Sequence, residues 1–205
     1  MHPEALNSEG KKIFPALKSF KPFYLAGGTA LALQLGHRLS VDFDLFSPEE
    51  LSDSLLFAVE KIFSGHKVVA QVNNKDELTV FADKIKITFL HYPFQILKGF
   101  VEYEGLNMIT VPELAATKAY TIGRRGSFKD YIDLYFAVVA GKVALSEIIG
   151  LAQEKYGGVF SSRLFLEQLV YLEDVTDTEI IFLKESVSKK QLEDFFSREI
   201  KQLGL

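Results

Sequence analysis

The spacing of hydrophobic positions changes near the middle of the chain, and that change separates two kinds of predicted element. Ile13, Phe14, Leu17 and Phe20 fall on one face of a short helix over roughly 7–20, which Pro22 ends. Residues 23–26 (FYLA) are a brief β-prone run, Gly27-Gly28 a turn, and residues 29–35 (TALALQL) a helix stopped by Gly36. After the polar turn 37–40 (HRLS), residues 41–46 (VDFDLF) alternate as a strand does, as far as Ser47-Pro48. Ser47-Pro48-Glu49-Glu50 then opens a helix over about 50–63: serine caps, proline suits the first turn and the acids suit the positive end of the dipole. Residues 67–72, 77–82 and 85–91 read as strands joined by short polar turns, with a fourth strand at about 100–104. From Thr110 onward the period is helical, predicting helices near 111–123, 128–140, 145–156, 162–173, 179–187 and 189–203. The expected fold is therefore α/β (α+β). A lobe built on a mixed sheet (1–109) carries a helical C-terminal lobe (110–205), with no linker or repeat between them.

Composition narrows the field without naming a function. With 205 residues, 48% of them hydrophobic and 24% charged, the chain is long and apolar enough for a sizeable core and is not a disordered or fibrous sequence. No run approaches the length of a membrane span, and the N-terminus carries acids where a leader would be apolar, so a cytoplasmic protein with no membrane partner is expected. The absence of cysteine removes disulfides, thiolate metal sites and cysteine nucleophiles. A net charge of −4 provides no general field for nucleic acid, so any such contact must be local. One run could supply it: Lys118, Arg124, Arg125 and Lys129 occur with no acid before Asp130. The other reading of that run is a solvated helix end.

The candidate chemistry lies earlier. Asp42 and Asp44, two apart on a predicted strand, would project together and repel unless a cation lies between them. Carboxylates suit Mg²⁺, which completes its shell with substrate phosphates. Thirteen residues before Asp42, Gly27-Gly28-Thr29 stands where a strand becomes a helix. Glycines there let backbone amides approach a phosphate, and free amides at a helix start attract anions. A phosphate cradle followed by paired carboxylates would hold the two parts of a metal–triphosphate complex. Read separately, the first is a tight turn with Thr29 as cap and the second the exposed face of a strand.

Residues 25–46 (LAGGTALALQLGHRLSVDFDLF) resemble the core motif of the DNA polymerase β-type nucleotidyltransferase superfamily: a glycine pair, a gap, then Asp-hydrophobic-Asp. More narrowly, the chain is similar to the AbiEii/AbiGii-type nucleotidyltransferase toxins, because residues 111–137 (VPELAATKAYTIGRRGSFKDYIDLYFA) resemble that family's second motif. The resemblance implies a nucleotidyltransferase fold and Mg²⁺-dependent transfer of NMP from an NTP to a hydroxyl acceptor, with an RNA end as one acceptor. It also implies a toxin of a type IV toxin–antitoxin pair, with a cognate antitoxin as partner. On this sequence Gly27, Gly28 and Thr29 would hold the triphosphate, and Asp42 and Asp44 would ligate the metal. Lys118 would contact the nucleotide or its phosphates, Lys129 and Arg125 the phosphates, and Asp130 would act as base.

Simpler readings stand beside these roles. Ser127 and Asp130 can cap a helix, as can Thr110 and Glu113, and Lys129 with Asp133 can form a surface i,i+4 pair. His37 reads as a solvated loop histidine, and Phe14, Phe20, Phe57, Phe63, Phe195 and Phe196 as core or partner surface. The superfamily's third carboxylate is missing: Thr88 stands at its place, with Asp83, Glu102 and Glu104 the nearest acids and Lys86 on the same strand face. That departure supports the competing expectation, a nucleotide-binding or partner-binding protein of the same fold without turnover.

Overall fold

The computed structural model describes residues 1–124, 126–176 and 178–204. Seven strands form one mixed sheet: β1 (Tyr24–Ala26), β2 (Phe43–Ser47), β3 (Val68–Asn73), β4 (Glu77–Ala82), β5 (Ile85–His91), β6 (Phe100–Tyr103) and β7 (Leu106–Ile109), in the order β3-β4-β5-β2-β1-β7-β6. The eight α-helices among the described residues are α1 (Ser8–Leu17), α2 (Gly27–Leu35), α3 (Leu55–Ile62), α4 (Val111–Ile122), α5 (Phe128–Val139), α6 (Leu145–Tyr156), α7 (Ser162–Leu169) and α8 (Lys189–Gln202). None of the helices is long and apolar enough to cross a membrane.

Strand alternation assigns the two faces of the sheet different work. Phe43 and Leu45 of β2 stand beside Ile87 and Phe89 of β5 and, next along, Val80 and Leu78 of β4. All six are buried, and Phe14 of α1, Phe20 and Phe63 close over this face with ring centroids 4.9–6.1 Å apart. On the opposite face the register runs Ala26, Asp44, Thr88, Thr79 across four strands. The apolar face anchors the sheet, and the polar row is left for chemistry.

Several boundaries differ from the sequence expectation, each for a tertiary reason. Helix α2 begins at Gly27, so the glycine pair forms its first turn instead of preceding it. Ser47 belongs to β2, its hydroxyl accepting from the Glu49 amide at 3.1 Å, and the Leu51 amide donates to the Lys75 carbonyl; α3 therefore starts only at Leu55. The strand pairing of β6 continues into β7, which the sequence did not signal. No helix occupies 179–187 among the described residues, because Ile181 and Leu183 pair through their backbones with Leu39 and His37. Phe57 is 70% exposed and is not core.

The helical part is fastened by a buried ion pair that sequence spacing assigned to capping. Thr110 makes no side-chain cap, and Glu113 is buried. Its Oε1 meets the Lys155 ammonium at 2.5 Å, and its Oε2 accepts from the Leu97 and Lys98 amides at 3.0 and 2.8 Å. Lys155 also donates to the Gln95 carbonyl at 2.8 Å. The loop after β5 is thereby tied to α4 and α6. Removing one partner of a buried pair strands the other charge, so Glu113→Ala is expected to cost about 3–5 kcal/mol in urea denaturation. A cost below about 1 kcal/mol would show that water or a neighbour replaces the carboxylate.

Candidate active site

The first turn of α2 is built by what glycine omits. Gly27 has φ +64°, and a Cβ there would lie 2.2 Å from Asp44 Oδ2. A Cβ on Gly28 would lie 2.3 Å from an Nη of Arg38. The pair lets the helix N-terminus settle between a carboxylate of β2 and a guanidinium from the turn after α2, with the amides that have no partner within the helix at that junction.

Thr29 fixes the approach to the carboxylates. Its hydroxyl donates to the Asp42 backbone carbonyl and accepts from Ser40 Oγ at 2.7 Å, because its single proton is already given to Asp42. The side chain is 2% exposed, so the hydroxyl positions the Asp42 backbone and is not offered to a phosphate, contrary to the sequence expectation. Asp42 itself lies one residue before β2 and is exposed, whereas Asp44 lies within the strand and is half-buried. The two carboxylates therefore reach the same cavity from the strand and from the residue just before its first.

Behind them lies a buried polar centre. Asp133 of α5 is fully buried, and its Oδ1 accepts from His37 Nε2 and Arg38 Nε, both at 2.7 Å. Its Oδ2 accepts from Arg38 Nη2 at 2.9 Å and lies 2.9 Å from Lys118 Nζ. Lys118 of α4 also meets Asp130 Oδ1 at 2.5 Å. Burial alone would raise the Asp133 pKa, but Arg38 and Lys118 outweigh it and hold the carboxyl well below its usual range. Lys118 is shifted upward although burial opposes this, because Asp133 and Asp130 favour the ammonium. His37 is buried enough that desolvation lowers its pKa despite the Asp133 bond. It is neutral, with its proton on Nε2, and Nδ1 has no hydrogen-bond partner.

Gly28, Thr29, Arg38, Ser40, Asp42 and Asp44 face Lys118, Ser127, Lys129 and Asp130 across a cavity of about 200 Å³. The two sequence motifs, some seventy residues apart, thus meet in one place. Gly27 does not line the cavity and lies behind Asp44, and Arg125 falls outside the described residues.

The simpler readings fare differently. Ser127 makes no side-chain cap, so Asp130 is held by Lys118 and not by a capping box. Lys129 has no ion pair among the described residues, and Asp133 is satisfied from the core side instead. His37 is a core residue, not a solvated one. Of the substitutes for Thr88, Asp83 is in the β4–β5 turn, bonded to His66 at 2.7 Å, and Glu102 and Glu104 belong to β6 and its turn at the far edge of the sheet. Among the described residues, no three acids or histidines gather to hold a metal. Arg38 and Asp133 carry most of the geometry and were not singled out for it. The signal was the cation beside the glycine-bounded turn, matched by an acid one helical turn after Lys129.

The centre makes three predictions. Asp133→Ala removes the anion shared by two cations and is expected to destabilise by about 3–5 kcal/mol in urea. Gly28→Ala should also destabilise, by driving Arg38 off Asp133. For pH, His37 titrates below its ordinary 6.5 in the folded state, so its contribution is fully present above about pH 6.5. As pH falls below that value the unfolded chain takes up a proton that the folded chain refuses, and stability declines. Thermal melts from pH 7.5 to 5 should show this decline, and His37→Gln, which keeps a donor, should flatten it; parallel curves would remove His37 as the cause.

Comparison with known proteins agrees with this assembly. Residues 12–204 match the AbiEii family, described as nucleotidyl transferase AbiEii toxin, type IV TA system. An uncharacterised protein of Aquifex aeolicus (strain VF5) is 34% identical over 183 residues, covering 88% of this chain and 87% of that protein. Among solved structures, the nucleotidyltransferase toxin MenT4 of Mycobacterium tuberculosis H37Rv superposes with a TM-score of 0.56 at 18% identity, covering 87% of this chain and 75% of its own. JHP933 of Helicobacter pylori gives 0.53 at 13% identity, covering 100% and 98%. The mixed sheet, the glycine-started helix beside the carboxylates and a match over nearly the whole chain lead to one conclusion: this chain belongs to the AbiEii nucleotidyltransferase toxin family.

Proposed function

We propose that the protein transfers NMP from a Mg²⁺-bound NTP to a hydroxyl group, that the acceptor is an RNA end, and that a cognate antitoxin restrains it in the cytoplasm. The observation that carries this reading is the shared cavity, in which helix-start amides and lysines face two carboxylates. The donor set fits Mg²⁺. Asp42 and Asp44 supply oxygen ligands, and the ion ordinarily needs one or two carboxylates with substrate phosphates completing its shell. With no third acid gathered at this site among the described residues, the set suits one ion. When bound, Mg²⁺ would neutralise charge on the triphosphate.

The chain's own groups do the rest. The Gly28 amide at the start of α2 binds a phosphate oxygen, Thr29 holds Asp42 in place, and Lys118 and Lys129 bring cationic charge to the phosphates. Asp130 gives one oxygen to Lys118 and uses the other to take the acceptor's hydroxyl proton. The acceptor oxygen bonds to the α-phosphorus as the bond to the bridging oxygen breaks, and pyrophosphate leaves. Catalysis of this kind rests on positioning and charge more than on covalent help. Thr88 favours a second reading, a protein that binds the nucleotide without turning it over.

Incubation with radiolabelled NTPs and total RNA, beside calorimetric NTP titration with Mg²⁺, separates the readings. Labelled RNA that disappears with EDTA is expected. Asp42→Asn and Asp44→Asn should each lower transfer by about 100-fold or more. If both variants label RNA as the parent does, the site is wrongly assigned. Tight NTP binding with no labelled product would establish the second reading.

A further inference from the structure

The C-terminal end of α4 borders a second hollow, of about 210 Å³, walled chiefly by Tyr120, Arg124, Val159, Phe160 and Leu164. Arg124 lies over the Tyr120 ring, 4.2 Å from its centroid. Tyr120 in turn stacks on Tyr156, with centroids 4.0 Å apart and planes inclined by 11°. The Tyr156 hydroxyl is bonded to Tyr92 and donates to Thr117 at 3.3 Å. The guanidinium thus rests on a rigid aromatic pedestal that leaves little freedom to lose on binding. Arg124 is exposed and has no carboxylate partner among the described residues. Val159 and Leu164, 58% and 42% exposed, give the hollow apolar sides, and Phe160 adds a half-buried ring.

We propose that this hollow is a subsite for one unpaired base of a single-stranded RNA acceptor, stacked between the Arg124 plane and Phe160 with its phosphate beside the guanidinium. The proposal rests on the nucleotidyltransfer reading for its occupant. The chemistry fits a base with its phosphate: a flat cation on an aromatic support, apolar walls and uncompensated positive charge. A duplex keeps its bases stacked and presents only their edges, so a splayed single-stranded base is the form that offers a face here. Position supports the same occupant. Arg124 walls the hollow, while Ser127, the N-cap of α5, and Lys129 and Asp130 in that helix's first turn wall the catalytic cavity. Since the chain as a whole carries −4, a local cation is also where attraction for RNA has to be found.

The test is fluorescence anisotropy with a 5′-labelled single-stranded RNA oligonucleotide, beside calorimetric titration with NTP and Mg²⁺. The parent is expected to bind the oligonucleotide, and an RNA duplex to compete poorly. Arg124→Glu and Phe160→Ala should each weaken binding at least about fivefold, leaving NTP affinity unchanged. Arg124→Lys, which keeps charge but loses the plane, should fall between. Arg124→Ala should also reduce the salt dependence by about one phosphate contact. Equal oligonucleotide affinity in parent and variants, or no binding by the parent, overturns the proposal. So does retained RNA affinity in variants that have lost binding to a purified cognate antitoxin, which would make the hollow a protein-docking surface. Failure of the parent to bind NTP would instead count against the nucleotidyltransfer reading, and the oligonucleotide titration would still decide the hollow.

Discussion

A single buried carboxylate organises this molecule. A charge placed where water cannot reach it is costly unless donors saturate it, and Asp133 is saturated on both oxygens by His37, Arg38 and Lys118. With Asp130 included, two cations balance two anions, and His37 adds no charge. That balance is what makes so many ionisable groups tolerable together. It also joins the turn after α2 to α4 and α5, two consecutive helices far along the chain. Tertiary packing and the polar site therefore cannot be altered separately, since Arg38 and Lys118 are both structural ties and walls of the cavity.

The neutral centre backs a cavity with a polarised lining. On one side are two carboxylates, one steadied through its backbone by Thr29 and the other lying against Gly27. On the other are Lys129 and the Lys118–Asp130 pair, and between them the amides at the start of α2. Such a lining needs to move little to receive a ligand bearing both a cation and phosphates, and immobility of charge is what makes an electrostatic site effective. The glycines serve this by absence: any side chain at 27 or 28 would occupy the space of Asp44 or Arg38.

A second polar tie, between Glu113 and Lys155, holds the loop after β5 against α4 and α6. The tyrosines around it, 92, 120 and 156, form a packed aromatic block that leads to the exposed Arg124. Helix α4 therefore has two polar sides, Lys118 facing the cavity and Glu113 with Thr117 facing the loop, while its tip touches the second hollow. A helix with polar contacts on two sides shows a weak amphipathic signal, which is why its chemistry had to be found through motif spacing and not through hydrophobic patterning.

The sequence by itself determined the class of the fold, most strand and helix positions, and the pairing of a glycine turn with two aspartates and a later lysine–aspartate motif. These are local properties: periodicity, caps and short spacings are written in consecutive residues. Tertiary structure alone decided what depends on partners far along the chain. It moved the start of α2 onto the glycines, turned Thr29 inward, buried His37, and made Asp133 the hub in place of a surface partner for Lys129. It also drew residues 181 and 183 into extended pairing where their spacing read as helix. The physical reason is the same in each case: the energy of a buried hydrogen bond or ion pair depends on which donor meets which acceptor and how dry the meeting place is, and neither is fixed until the chain has closed around it.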